Sequence, residues 1–118
     1  MAWSFDDGSS IYAQIVKKIK MEILSGEYAP GQGLPSVRSL SAEAGVNPNT
    51  VQKSLKMLEE QKLVFPDSTT GRYVTKDKKH LEKVRAESRK SFLNELAKDG
   101  KKLGFTKEEL CDYINKNF

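Results

Sequence analysis

The sequence predicts a mainly α-helical chain with a small β-hairpin: a winged helix-turn-helix followed by a two-helix C-terminal dimerisation tail. Three observations lead there. Isoleucines recur every four residues near the start. A short helical pattern, a glycine-containing turn and a longer helical pattern follow. Two short β-prone runs then flank a turn-rich stretch that ends at Thr75. Helix, helix-turn-helix, hairpin is the order of a winged helix.

The first helix is expected at about 10–25. Ile11, Ile15, Ile19 and Ile23, widened by Tyr12, Val16 and Leu24, form one apolar stripe of helical period. Ser9 or Ser10 can cap its start, and Gly26 suits a left-handed stop. The segment from Glu27 to Gly33 reads as a loop with a turn at Pro30-Gly31. Ser36 is an N-cap candidate for a second helix that turns Val37, Leu40 and Ala44 inward and ends at Gly45. Asn47 suits the next N-cap and Pro48 the first helical position, where its missing N–H costs nothing. That third helix turns Val51, Leu55 and Leu58 inward and is expected to run to about residue 61. Leu63-Val64-Phe65 and Tyr73-Val74-Thr75 read as two strands joined by a loop of about six residues.

Beyond Thr75 the composition shifts. Residues 1–75 carry 8 Lys+Arg and 8 Asp+Glu, and residues 76–118 carry 12 and 8, so the net charge of +4 belongs to the C-terminal part. Leu81, Val84, Phe92, Leu93 and Leu96 recur at roughly helical spacing over 78–99, with Gly100 expected to follow the helix end. Thr106-Lys107-Glu108-Glu109 fits a capping box, with Phe105 and Leu110 placed as a hydrophobic staple. Leu110, Tyr113 and Ile114 continue that last helix. The expected division is therefore a winged helix over 1–75 and a two-helix tail over 76–118. The tail's apolar residues Leu81, Val84, Phe92, Leu96, Leu110 and Ile114 need burial, and a second copy of the chain offers it.

Composition narrows the function. No apolar run is long enough to span a membrane. The first residues show neither a basic stretch nor an apolar core of a secretory signal. A lone cysteine, Cys111, excludes an intrachain disulfide and points to an intracellular, cytoplasmic home. One histidine, His80, and that one cysteine cannot make a structural zinc site, so no metal and no cofactor are expected. No glycine-rich phosphate loop and no activated-nucleophile pattern supports an enzyme.

The polar residues of the helix-turn-helix carry the functional reading. The second helix of such a motif enters the DNA major groove with its N-terminal end leading. That end holds Asn47, Asn49, Thr50, Gln52 and Lys53. Asn and Gln can make paired hydrogen bonds to adenine, while Thr50 and Lys53 suit phosphates. Arg38, in the first turn of the preceding helix, can reach a phosphate or a base edge. The hairpin tip offers Thr69, Thr70, Gly71 and Arg72. Blander roles stay open: Asn47 as a cap alone, Gln52 and Lys53 as a solvated face, Arg38 paired with Glu43. The lysines and arginines of 76–90 read as a solvated helix face interleaved with Asp77, Glu82 and Glu87. His80 reads as a surface residue and Cys111 as a small apolar neighbour of the last helix. Trp3 and Phe5 are left either disordered or packed on a partner chain.

Four separated blocks in order strengthen this reading: Ile11-Tyr12-Ala13-Gln14-Ile15, Ser25-Gly26-Glu27-Tyr28-Ala29-Pro30-Gly31, Leu34-Pro35-Ser36-Val37-Arg38-Ser39-Leu40 and Gly45-Val46-Asn47-Pro48-Asn49-Thr50-Val51. Over about 11–75 the chain resembles the GntR family of bacterial transcription regulators. The Val-Asn-Pro-Asn-Thr-Val string and the short tail resemble its YtrA-like subfamily. The resemblance implies a sequence-specific DNA-binding transcription regulator whose C-terminal helices dimerise, acting as a repressor; two-fold pairing would then set a homodimer on a near-palindromic operator in double-stranded DNA. It carries DNA contact onto Ser36, Arg38, Asn47, Asn49, Thr50, Gln52 and Gly71. The alternative is a winged-helix protein-interaction module that does not bind DNA. The chain departs from the family at Pro48, where many relatives outside this subfamily have arginine. It departs also in the wing, where Asp67 would be repelled by phosphate, and at Lys62, where glycine is frequent. The 43 residues after Thr75 are too few for the ligand domain of larger members. A small-molecule effector would have to lie between subunits or between tail and winged helix.

Overall fold

The computed structural model describes residues 3–67 and 71–118. The elements, in order, are α1 (Ile11–Ser25), α2 (Val37–Ala44), α3 (Pro48–Glu60), β1 (Val64–Pro66), β2 (Arg72–Val74), α4 (Lys78–Lys102) and α5 (Lys107–Asn117). The chain falls into two compact units, residues 1–81 and 82–118. No described helix is long and apolar enough to cross a membrane.

In the first unit α1 packs on α3 and α2 packs beside α3. Ser10, not Ser9, caps α1: its Oγ accepts from the Ala13 N–H at 3.1 Å, and Gly26 ends the helix at φ +89°. Ile15, Ile19 and Ile23 are buried, but Ile11 is exposed. Ile11 is the first residue of the helix, a full turn ahead of the covered part of the stripe. Val51, Leu55 and Leu58 of α3 complete the core with Leu40, Leu63, Val64 and Val74. Between α1 and α3 lies Ser54, fully buried, whose Oγ lies 2.9 Å from the Thr50 carbonyl oxygen and 3.3 Å from that of Tyr12. A small side chain there lets the two helices approach closely, and bonding to backbone oxygens satisfies its hydroxyl.

The hairpin pairs Val64 with Val74, Phe65 with Tyr73 and Pro66 with Arg72, antiparallel. The strands run one residue away from the expected runs, 64–66 and 72–74. A third segment, read from the sequence only as loop, lies along β2: the Leu34 N–H donates to the Arg72 carbonyl at 2.8 Å and the Val74 N–H to that of Gln32 at 2.9 Å. Lys62 makes the turn out of α3 at φ +59°, the left-handed conformation that glycine adopts at lower cost. His80 is half-buried rather than on the surface. Its Nε2 lies 2.9 Å from the Gln61 carbonyl oxygen, which ties the start of α4 to the end of α3. Before α1, Trp3 and Phe5 are half-buried and in ring contact. The Gln14 side chain holds Asp6 through both its backbone N–H and carbonyl, at 3.0 and 2.8 Å.

In the second unit α4 runs through Gly100 to Lys102, and the left-handed residue is Gly104 at φ +84°. The expected stop at Gly100 is therefore corrected. That glycine is a packing position, where a Cβ would meet Leu110 Cδ1 at 3.1 Å. Thr106 and Glu109 form the full capping box of α5, with bonds of 3.1 and 2.9 Å. No side chain of α5 is buried. Cys111, expected to pack as a small apolar residue, is exposed accordingly.

Candidate nucleic-acid interface

The start of α3 faces outward, and its backbone explains why. Asn47 is the N-cap, its Oδ1 accepting from the Asn49 N–H at 2.8 Å, and Pro48 follows as the first helical residue. The turn before it is tied down by Ser41, whose carbonyl accepts from the Gly45 and Val46 N–H groups and whose hydroxyl donates to the Val46 carbonyl. The cap and the short turn set the N-terminal, positive end of the α3 dipole at the surface, where it favours an anion.

Asn47, Asn49, Gln52 and Lys53 are exposed, and Thr50 is half-buried. Asn49, Gln52 and Lys53 stand at helical spacings of three and four, so they share one face. Lys56, likewise exposed, extends the same face by another turn. Sequence reasoning passed over Lys56, although the three-four spacing could have found it. Lys53 Nζ lies 4.5 Å from the centre of the Tyr12 ring, which props the ammonium along α1 while leaving it in solvent.

Ser36, Arg38, Gln52 and Arg72 line one open hollow with Val37. Three separate elements thus bring predicted residues together: the start of α2, the start of α3 and the foot of the hairpin. Ser36 holds this corner as the cap of α2, its Oγ accepting from the Ser39 N–H at 3.0 Å. Among the described residues no ion pair joins Arg38 to Glu43. Arg72 is different. Its Nε donates to Glu59 Oε1 at 2.8 Å, and the Arg72 side chain is only 12% exposed. Gly71 accepts at its carbonyl from the Asp67 N–H at 2.9 Å. Thr69 and Thr70, expected at the hairpin tip, lie outside the described residues.

Leu81, expected in the tail's apolar face, is buried within the first unit. Val84, Leu96 and Leu110 are half-buried, and Phe92 and Ile114 are exposed. Leu93, Leu103, Phe105, Tyr113 and Phe118 are exposed as well; the sequence places Leu93 and Tyr113 in the apolar stripes of these helices and Phe105 in a staple, without assigning them to the interface. One titration stands out in the first unit. Burial, with the Glu22 carboxylate beside it, pushes the Tyr28 phenol up to about 12. Tyr28 lies in the α1–α2 connection, and none of the predicted DNA contacts is among the causes of its shift. Among the described residues no cluster of His, Cys, Asp and Glu is arranged to hold a metal.

The sequence model for bacterial regulatory proteins of the gntR family matches residues 11–74, the segment that forms α1 to β2. The HTH-type transcriptional regulator YhcF of Bacillus subtilis is 30% identical over 93% of this chain and 91% of its own length. The HTH-type transcriptional repressor YtrA of the same organism is 34% identical over 88% of this chain and 81% of its own. Among solved structures, a GntR family transcriptional regulator from Listeria monocytogenes superposes with a TM-score of 0.83. It is 36% identical and covers 97% of this chain and 100% of its own. The DNA-binding domain of AraR in complex with operator ORX1 superposes with a TM-score of 0.55 at 27% identity, over 61% of this chain and 93% of that one.

Proposed function

We propose that this chain, which belongs to the GntR family of bacterial regulatory proteins and to its YtrA-like subfamily, works as a homodimeric repressor on a near-palindromic operator. Family membership makes it a DNA-binding transcription regulator, and its relatives are regulators rather than enzymes. The finer reading is carried by one observation: the capped start of α3 presents Asn49, Gln52 and Lys53 to solvent on a single face, beside Arg38. On this reading Asn47, Asn49 and Gln52 reach base edges in the major groove. Arg38 contacts a base edge or a phosphate, and Ser36, Thr50 and Lys53 hold the backbone. Gly71 and Arg72 border this face at the foot of the wing.

Repression is the role printed in the name of the YtrA relative. Pairing follows from the second unit, which leaves Phe92, Leu93, Tyr113, Ile114 and Phe118 exposed. A patch of that kind calls for a partner, and a second copy puts two reading heads on one duplex. Residues 1–75 then read DNA and 76–118 pair the subunits, in the cytoplasm where the target lies. A salt series on duplex DNA tests the reading. Affinity should fall steeply as salt rises, because each phosphate neutralised releases counterions. A flat response, or no binding at low salt, would favour a winged helix that binds protein instead.

A further inference from the structure

We propose that Arg72 is a positioning residue rather than a phosphate contact: paired with Glu59, it fixes the wing and the entry of α2 against the recognition helix. The inference rests on the DNA-binding reading above. Its geometry is independent of DNA. The Arg72 guanidinium meets the Glu59 carboxylate at 2.8 Å, with the two side chains 12% and 25% exposed. Its carbonyl accepts the Leu34 N–H at 2.8 Å, two residues before the Ser36 cap of α2. Across the hairpin it is paired with Pro66. One residue therefore joins four places: the end of α3 through its side chain, the loop leading into α2 through its carbonyl, β1 through the strand register, and the hollow it shares with Arg38 and Gln52.

Charge points the same way. Between Pro66 and Gly71 the sequence holds Asp67 and no cation. With Arg72 committed to Glu59, the wing brings no net positive charge to a phosphate backbone. On the reading face, attraction then comes from Arg38, Lys53 and Lys56, all exposed, and from the N-terminal end of α3. A partly buried pair of this kind orients rigid elements. Its removal misplaces the groups that read DNA without subtracting a phosphate contact.

The test uses the full-length protein and a labelled duplex that the wild type has selected from a random-sequence pool, titrated across a salt series. Absence of any wild-type binding at low salt would remove the DNA reading itself. Given wild-type binding, positioning predicts that Arg72→Lys, which keeps the charge, and Glu59→Ala each weaken binding by about tenfold. The double variant should be no weaker than the worse single one, and all three should run parallel to wild type in salt dependence. A direct phosphate contact predicts the reverse. Arg72→Lys would bind nearly as wild type, Glu59→Ala would bind more tightly because an anion is gone, and Arg72→Ala would lower the salt slope by about one. Any of those three results overturns the proposal, and so does unchanged affinity in both single variants.

Discussion

Residues 1–81 hold a core of buried apolar side chains, from Ile15 in α1 through Leu58 in α3 to Leu81 in α4, with Ile11, Met21 and Phe65 left exposed, whereas residues 82–118 bury no large apolar side chain. The helices of the first unit, and α5 of the second, are amphipathic and begin at capping side chains. The difference is geometric. Three helices and a hairpin enclose a common interior, whereas α4 and α5 meet where Leu110 approaches Gly100 and leave Phe92, Leu93, Tyr113 and Ile114 exposed. Phe92 and Tyr113 are each 67% exposed. The first unit has a core of its own. The second acquires its core, on the proposed reading, by association.

Cutting the chain after Leu81 separates the two most sharply. Leu81 is buried in the first unit and His80 is bonded to Gln61, so the cut belongs after them and not at residue 78. The shortened protein should sediment as a monomer and lose operator affinity by about 10²–10⁴, the contribution of linking two heads. A shortened chain that stays dimeric would place the interface elsewhere.

Paired substitutions sharpen the contrast. Leu58→Ala should cost about 2–5 kcal/mol in denaturant unfolding, independent of protein concentration. Phe92→Ala should leave the first unit's unfolding unchanged and instead weaken association, by about 2 kcal/mol or more if that ring anchors the interface. Equal, concentration-independent losses for both would erase the distinction. On the reading face, Arg38→Ala and Gln52→Ala should each reduce DNA affinity by about 1–3 kcal/mol with melting unaltered. The smallest effect is expected at the exit of α3. Lys62→Gly relieves a left-handed lysine at the expense of a looser unfolded chain, so stability should rise by no more than about 1 kcal/mol.

What the sequence disclosed follows from the range of each interaction. The isoleucine period, the caps at Ser36 and Asn47, Pro48 at the helix start and the Thr106 capping box all depend on residues within one or two turns. Each of these is formed in the structure. Features made between distant residues were not legible. The strand-like run at Gln32–Leu34 exists only through bonds to Arg72 and Val74, some forty residues away. Gly100 reads locally as a helix stop, yet α4 runs through it, and a Cβ there would meet Leu110, a residue of the next helix. Arg72 looked like a wing cation because nothing near it in sequence announces Glu59. Lys62 was the reverse case: the missing glycine was visible, but only the structure shows that lysine takes the left-handed conformation anyway.

Methylation interference at guanine N7 on the selected duplex examines the outward, paired presentation of α3 most directly, because N7 lies in the major groove. Two symmetric patches of interference, about 34 Å or one helical turn apart or a multiple of it, are the expected result. They should disappear together when Gln52 is replaced. A single patch, or two patches at a spacing that is not a whole number of helical turns, would contradict the account.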